Sequence, residues 1–289
     1  MGICRGRVVV VTGAGRGIGR AQALEFARQG AKVVVNDLGA GPHGFGRGGA
    51  PARDVVDEIR SAGGQAVANC DDVADWDGAA RLVKTALSAF GRLDVLAGNA
   101  GFTRDCALVS MTERDWDDVI RAHLKGHFLP LRHAGAYWRE RAAAGYIVDA
   151  RVINTSSGAG LFGSAGQGNY AAATAGIAAL TQVAAAELER YGVTVNAIAP
   201  NAARDVVEPA VEALDPADAA SLAAWLGSAG SRHVTGRVFE VGGGAISLAT
   251  GWRHGPRADR ADWNRADVGA AVAGLLAHAP VPMPVYGSA

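Results

Sequence analysis

The stretch "RVVVVTGAGRGIG" (7–19) constrains this chain more than any other. A short β-branched run, RVVVVT, ends at a glycine cluster. Ile18, Ala21, Leu24 and Ala27 then recur at helical spacing. Strand, tight turn and helix follow one another with no room for a longer loop. Gly13, Gly17 and Gly19 let the backbone turn sharply and come close to a ligand. The helix start offers free N–H groups and a positive dipole end, which suits a pyrophosphate. Ile18 and Arg16 sit inside the same turn. A glycine triplet alone is a weak signal, because many strand-to-helix turns carry glycines. An acid ending the second strand makes it a strong one. That acid is Asp37, at the end of "AKVVVND" (31–37). Its carboxylate can accept from ribose hydroxyls and would repel a 2′-phosphate, which favours NAD over NADP. Arg16 pulls the other way, since a basic residue there can meet a 2′-phosphate. Asp72 and Val73, after the third strand, are candidate adenine contacts.

The rest of the chain repeats the alternation. Residues 76–90 carry apolar positions at i, i+3, i+4 and i+7, predicting an amphipathic helix. "RLDVLAG" (92–98), "ARVINTS" (150–156) and "VTVNAIAP" (193–200) read as buried strands. Short apolar strands alternating with helices predict an α/β fold: a Rossmann-type, doubly wound parallel sheet with helices on both faces. No linker separates two domains. The expected organisation is one domain over 1–250, with a C-terminal extension over 251–289 packed on it. That extension reads as a helix over 266–279 followed by an extended tail. The glycine-rich stretch 38–49 reads as a long surface loop.

Bulk properties narrow the partners. The chain has 289 residues, is 49% hydrophobic and only 19% charged, which argues for a folded core rather than disorder. Twenty-eight basic residues balance twenty-eight acidic ones, so neither nucleic acid nor an anionic membrane is an expected partner. Three scattered cysteines form neither a CxxC pair nor a disulfide framework, which fits a reducing, cytoplasmic setting. There is no run of eighteen apolar residues to span a bilayer.

"TGAGRGIG", "AGNAG" (97–101), Ser157 and Tyr170 together resemble the short-chain dehydrogenase/reductase family over about residues 5–250. "VVVNDLG", "AHLKGHF" (122–128), "GQGNYAAATAG" and "NAIAPNA" are similar to one branch. It comprises the hydroxyacyl-CoA dehydrogenase domains of type-2 peroxisomal multifunctional enzymes and their actinobacterial relatives. The resemblance implies NAD as cofactor and a small-molecule substrate, a secondary alcohol or ketone such as a hydroxyacyl-CoA or a steroid-like molecule. It also implies a homodimer or homotetramer. Tyr170 would be the general acid/base and Ser157, thirteen residues earlier, would polarise the substrate oxygen. His123 stands at the position of a relay asparagine, and Asn99, Ala100, Gly101 and Pro200 would face the cofactor. His123 and His127 are also i, i+4, but no third ligand is evident, so no metal is expected.

Three positions depart from the family pattern. Where the family has a lysine one helical turn beyond the tyrosine, this chain has Thr174. Bringing a phenol from near 10 to about 7 takes roughly 4 kcal/mol of preferential phenolate stabilisation, which an ammonium can supply and a hydroxyl cannot. The family's Asn-Asn-Ala-Gly is Gly98-Asn99-Ala100-Gly101 here. After the sixth strand, "APNAARDVVEPA" (199–210) has Pro200 and Asn201, carries Asp205, and lacks the threonine that would bind the nicotinamide carboxamide. The expected activity is therefore impaired. The alternative is a catalytically inactive subunit paired with an active homologue in a hetero-oligomer.

Overall fold

The computed structural model of the chain describes residues 2–41, 46, 48–200, 215–259, 265–280 and 285. Asn201 and Asp205, much of the glycine-rich loop and most of the C-terminal tail lie outside the described residues.

Seven strands run parallel: β1 (Val8–Thr12), β2 (Lys32–Asn36), β3 (Gln65–Asn69), β4 (Val95–Gly98), β5 (Ala150–Thr155), β6 (Val193–Pro200) and β7 (Val238–Gly242). An eighth, β8 (Ala245–Ala249), pairs antiparallel with β7. The order across the sheet is β3-β2-β1-β4-β5-β6-β7-β8. Strand order reverses on either side of β1, between β2 and β4, and a crevice opens there at the carboxyl ends.

Alternation sorts each strand between two cores. Val9 and Val11 of β1, with Val33 and Val35 of β2, face α1 (Gly17–Arg28), α2 (Ala50–Ser61) and α8 (Pro216–Leu226). Val8, Val10 and Val34 face α3 (Trp76–Phe90), α5 (Gly126–Ala143) and α7 (Gly168–Leu188). Burying each valine contributes about 1.5–3 kcal/mol. This two-sided burial makes β1, β2 and β4 read as near-continuous apolar runs.

Local chemistry sets the element ends. Asp75 caps α3 by accepting from Gly78 N, and Gly91 ends it at a left-handed φ of 78°. Thr112 and Asp115 form a reciprocal capping box on α4 (Glu113–Ile120). Between α4 and α5, residues Arg121–Lys125 form a π-helical turn, a geometry found most often at functional sites.

One feature was not legible as a sequence pattern. The sheet was expected to be parallel throughout, yet β8 folds back on β7 through Gly243 and Gly244, both at positive φ. That two-residue turn needs left-handed backbone at both positions, which glycine provides. The apolar stretch after residue 265 forms α9 (Arg265–His278), where Val268, Val272 and Leu276 remain exposed. The helix Gly168–Tyr191 is long and apolar enough to span a bilayer by length and composition alone. Its buried Thr174 and Thr181 hydrogen-bond inside the domain, as in a core helix.

Candidate active site at the sheet's switch point

The crevice above β1 and β4 has a volume of about 640 Å³. Gly13, Arg16, Gly17, Ile18, Gly19, Asp37, Asp72, Val73, Asn99, Ala100, Gly101, His123 and Tyr170 all line it. The fold thus brings the glycine cradle and the tyrosine, far apart in sequence, into one crevice. Ser157, Thr174 and Pro200 are not among its lining residues.

The cradle is built to leave space. Gly13 adopts a φ of 60°, and a Cβ on it would lie 2.8 Å from Ala100 Cα. A Cβ on Gly19 would collide with the Gly13 carbonyl. The turn therefore closes only with glycines, and leaves the start of α1 open to a pyrophosphate.

Asp37 is held from both sides. Its Oδ2 accepts Gly15 N–H at 2.9 Å and its Oδ1 accepts Gly39 N–H at 2.7 Å. Each carboxylate oxygen keeps a lone pair for a further donor. Arg16 turns its guanidinium onto the Ala40 carbonyl at 3.3 Å. Asp72 accepts Ala74 N–H and pairs with Arg121 at 2.9 Å, tying the loop after β3 to the π-turn. Val73 is buried beside it.

Asn99 joins the two halves of the crevice. Its backbone N–H donates to Thr12 Oγ1 at 3.0 Å and its Nδ2 donates to Gln22 Oε1 at 2.8 Å. Its Oδ1 accepts from Thr155 Oγ1 at 2.8 Å. One side chain thereby links α1, β4 and β5. Sequence reasoning missed Thr12, Gln22 and Thr155. Their signal was a polar residue at a position the apolar periodicity assigns to the interior.

At the other end, His123 meets Tyr170 edge to face, with ring centroids 5.0 Å apart and planes at 74°. Its Nε2 donates to the Phe102 carbonyl at 2.8 Å. Burial pushes its pKa down to about 4, so the ring is neutral at physiological pH. The His123 ring also packs against Gly101, where a Cβ would not fit. His127 turns its two nitrogens to backbone groups, so the two imidazoles do not converge on a common point.

Thr174 is 1% exposed, and its hydroxyl donates back to the Tyr170 carbonyl at 2.7 Å. Its Oγ1 would lie 2.5 Å from a Cβ on Gly160, in α6 (Gly158–Phe162). The hydroxyl's one proton is thus spent on its own helix. Ser157 caps α6, its Oγ accepting Ala159 N–H at 3.2 Å. That leaves the Ser157 proton as a donor. Pro200 ends β6 opposite Val241 of β7.

Comparison with known proteins agrees with this fold. The family model for short chain dehydrogenases matches residues 7–207. This chain belongs to the short-chain dehydrogenase/reductase family. It has the fold of that family's NAD(P)-dependent oxidoreductases. A crystal structure of a short chain dehydrogenase from Mycobacterium avium superposes with a TM-score of 0.91 at 57% identity, covering 99% of this chain and all of that one. The hydroxyacyl-CoA dehydrogenase ChsB1 of Mycobacterium tuberculosis is 45% identical over 85% of this chain and 80% of its own length. The mouse peroxisomal multifunctional enzyme type 2 is 45% identical over 83% of this chain, which spans 32% of that enzyme's length.

Proposed function

We propose that this chain is an NAD(H)-dependent oxidoreductase interconverting a secondary alcohol and a ketone, with proton transfer weakened at Thr174. The observation that carries this reading is Tyr170 lining the same crevice as the glycine cradle and Asp37. Gly13 and Gly19 let the turn pack tightly and present the start of α1 to a pyrophosphate, and Asp37 offers acceptors where ribose hydroxyls would donate. Arg16 is turned onto the loop carbonyl, and Asp37 would face a 2′-phosphate; both support NAD over NADP.

A bound nicotinamide would supply the hydride. The chain's residues would supply the rest. Tyr170 would give or take the hydroxyl proton, and Ser157 would hold the substrate oxygen through its free O–H. His123, neutral and edge-on to Tyr170, would orient the phenol rather than charge it. The relatives support a hydroxyacyl-CoA or steroid-like alcohol as substrate class. Exposed Val183 on α7 and Phe128 on α5 support a homodimer or homotetramer.

The test is fluorescence titration with NADH and NADPH, followed by single-turnover hydride transfer from 3-hydroxyacyl-CoA thioesters and 3-hydroxysteroids to NAD+. Tight NADH binding with slow transfer is expected. Tight NADPH binding without NADH binding would overturn the cofactor reading. A second reading, a silent subunit paired with an active homologue, is favoured by one observation: the Thr174 hydroxyl is spent on its own helix. It predicts NADH binding with no transfer and association with a related active dehydrogenase.

A further inference from the structure

Gly98 is one of the three departures from the family pattern, and the fold gives it a partner. Gly98 ends β4. A Cβ there would lie 2.8 Å from Cδ2 and 3.0 Å from Nε2 of His127, tighter than real packing allows. His127 is 3% exposed and wedges between α5 and the ends of β4 and β5. No side chain fits at 98 while this imidazole is in place.

The ring nitrogens face backbone groups on three elements, and its one proton bonds only one of the two carbonyls. Its Nδ1 lies 2.7 Å from the His123 carbonyl, in the π-turn. Its Nε2 lies 3.0 Å from the Gly98 carbonyl and 3.4 Å from Thr155 N. Burial lowers the His127 pKa, so the ring carries one proton at physiological pH. With that proton on Nδ1, it donates at the shortest contact, and Nε2 accepts Thr155 N–H. Each anchored group leads to the crevice wall. His123 carries its ring to Tyr170. Thr155 donates to Asn99, which reaches Gln22 on the cradle helix.

We propose that His127 is a positioning residue for the nicotinamide end of the crevice. Its imidazole fills the volume that Gly98 leaves open, and it fixes His123 and Thr155 beside Tyr170. Gly98 and His127 are a matched pair, so the missing asparagine is an exchange of one buried polar group for another. This rests on the proposed binding of NAD(H).

The experiment compares the full chain with Gly98→Asn, His127→Ser and the double variant. NADH and ADP-ribose affinities and melting temperatures are measured for all four. ADP-ribose is NADH without its nicotinamide ring, so the difference between the two ligands reports placement of that ring. Each single variant should weaken NADH by about fivefold or more, the double should recover most of that loss, and ADP-ribose should change by less than about twofold. His127→Asn, which keeps a donor and an acceptor, should fall less than His127→Ser. Losses that add in the double variant would overturn the pairing. Equal losses for NADH and ADP-ribose would overturn the positioning role. If a single variant does not fold, Gly98→Ala and His127→Asn replace it in the same cycle. If the wild-type chain binds neither ligand, the proposed function falls. The melting temperatures then decide the pair: recovery in the double variant upholds it, and additive losses reject it.

Discussion

The two ends of the crevice are built from the same kinds of element and differ in how their polar groups are committed. At the adenosine end, the chain's side chains and turns leave capacity for a ligand. Asp37 is braced by two backbone N–H groups and keeps lone pairs for further donors, and Gly13 and Gly19 let the turn close tightly at the start of α1. At the Tyr170 end, the groups bond to the protein itself. Thr174 donates to the Tyr170 carbonyl, His123 to Phe102, and His127 to neighbouring backbone. A binding half can thus persist while the half that moves protons turns its hydrogen bonds inward. Cradle geometry depends on glycine and backbone, which few substitutions can imitate. Acid–base power depends on one charge, which one substitution removes.

The largest expected effect tests that charge directly. Thr174→Lys should raise single-turnover hydride transfer by about 10²–10⁴-fold, the usual worth of general acid–base assistance. Gly160 blocks one side of the position, so the lysine must leave along the Tyr170 side. Adding Tyr170→Phe to that variant should remove the gain. An unchanged rate with NADH bound would break the comparison, because the weakness would then lie elsewhere, for example in substrate or nicotinamide placement.

Next in size is a pH effect confined to the Tyr170 end. His123 falls from 6.5 to about 4 on folding, so between these values the unfolded chain binds more protons than the folded one. Stability is therefore full above about 6.5 and declines as pH falls towards 4, by about 3 kcal/mol in total. His127 shifts in the same direction and adds to the slope. Urea unfolding at pH 7 and pH 4.5 measures it, and His123→Asn should flatten the curve. A wild-type curve already flat over that range would show that the ring is not held neutral.

At the adenosine end, Gly19→Ala should cost about 1–3 kcal/mol through overpacking against Gly13, read as roughly 5- to 150-fold weaker NADH binding. The loss should extend to ADP-ribose, which His127 variants should spare. Loss of NADH alone would mean that the two ends are coupled more tightly than their hydrogen bonds indicate.

What could be read from the sequence divides along the same line. The cradle, Asp37 and the alternation of strand and helix were legible because glycine spacing and apolar period are local signals. The register of Tyr170 was legible only through resemblance. The commitments of Thr174, Ser157 and His127 were not: Thr174 and Ser157 bond to their own helices through rotamers that no spacing signals, and His127 depends on α5 packing against β4. The antiparallel β8 was missed for a different reason. Its strand is short and none of its residues is buried, so no apolar face marks it as part of the sheet.

The smallest effect separates two roles of one hydroxyl. Ser157 accepts Ala159 N–H as the cap of α6, and a lost serine cap costs about 1 kcal/mol wherever it occurs. Ser157→Ala should therefore lower the melting temperature whether or not the protein turns over. Ser157→Asp keeps a capping acceptor and, when ionised, lacks the O–H that would hold a substrate oxygen. If Ser157 serves the reaction, Ser157→Asp should keep most of the stability and still lose transfer in a Thr174→Lys background. If the hydroxyl is only a cap, Ser157→Asp should match its parent in both stability and rate. In that second case the Tyr170 end has neither a lysine nor a serine hydroxyl serving the reaction, and the silent-subunit reading becomes the stronger of the two.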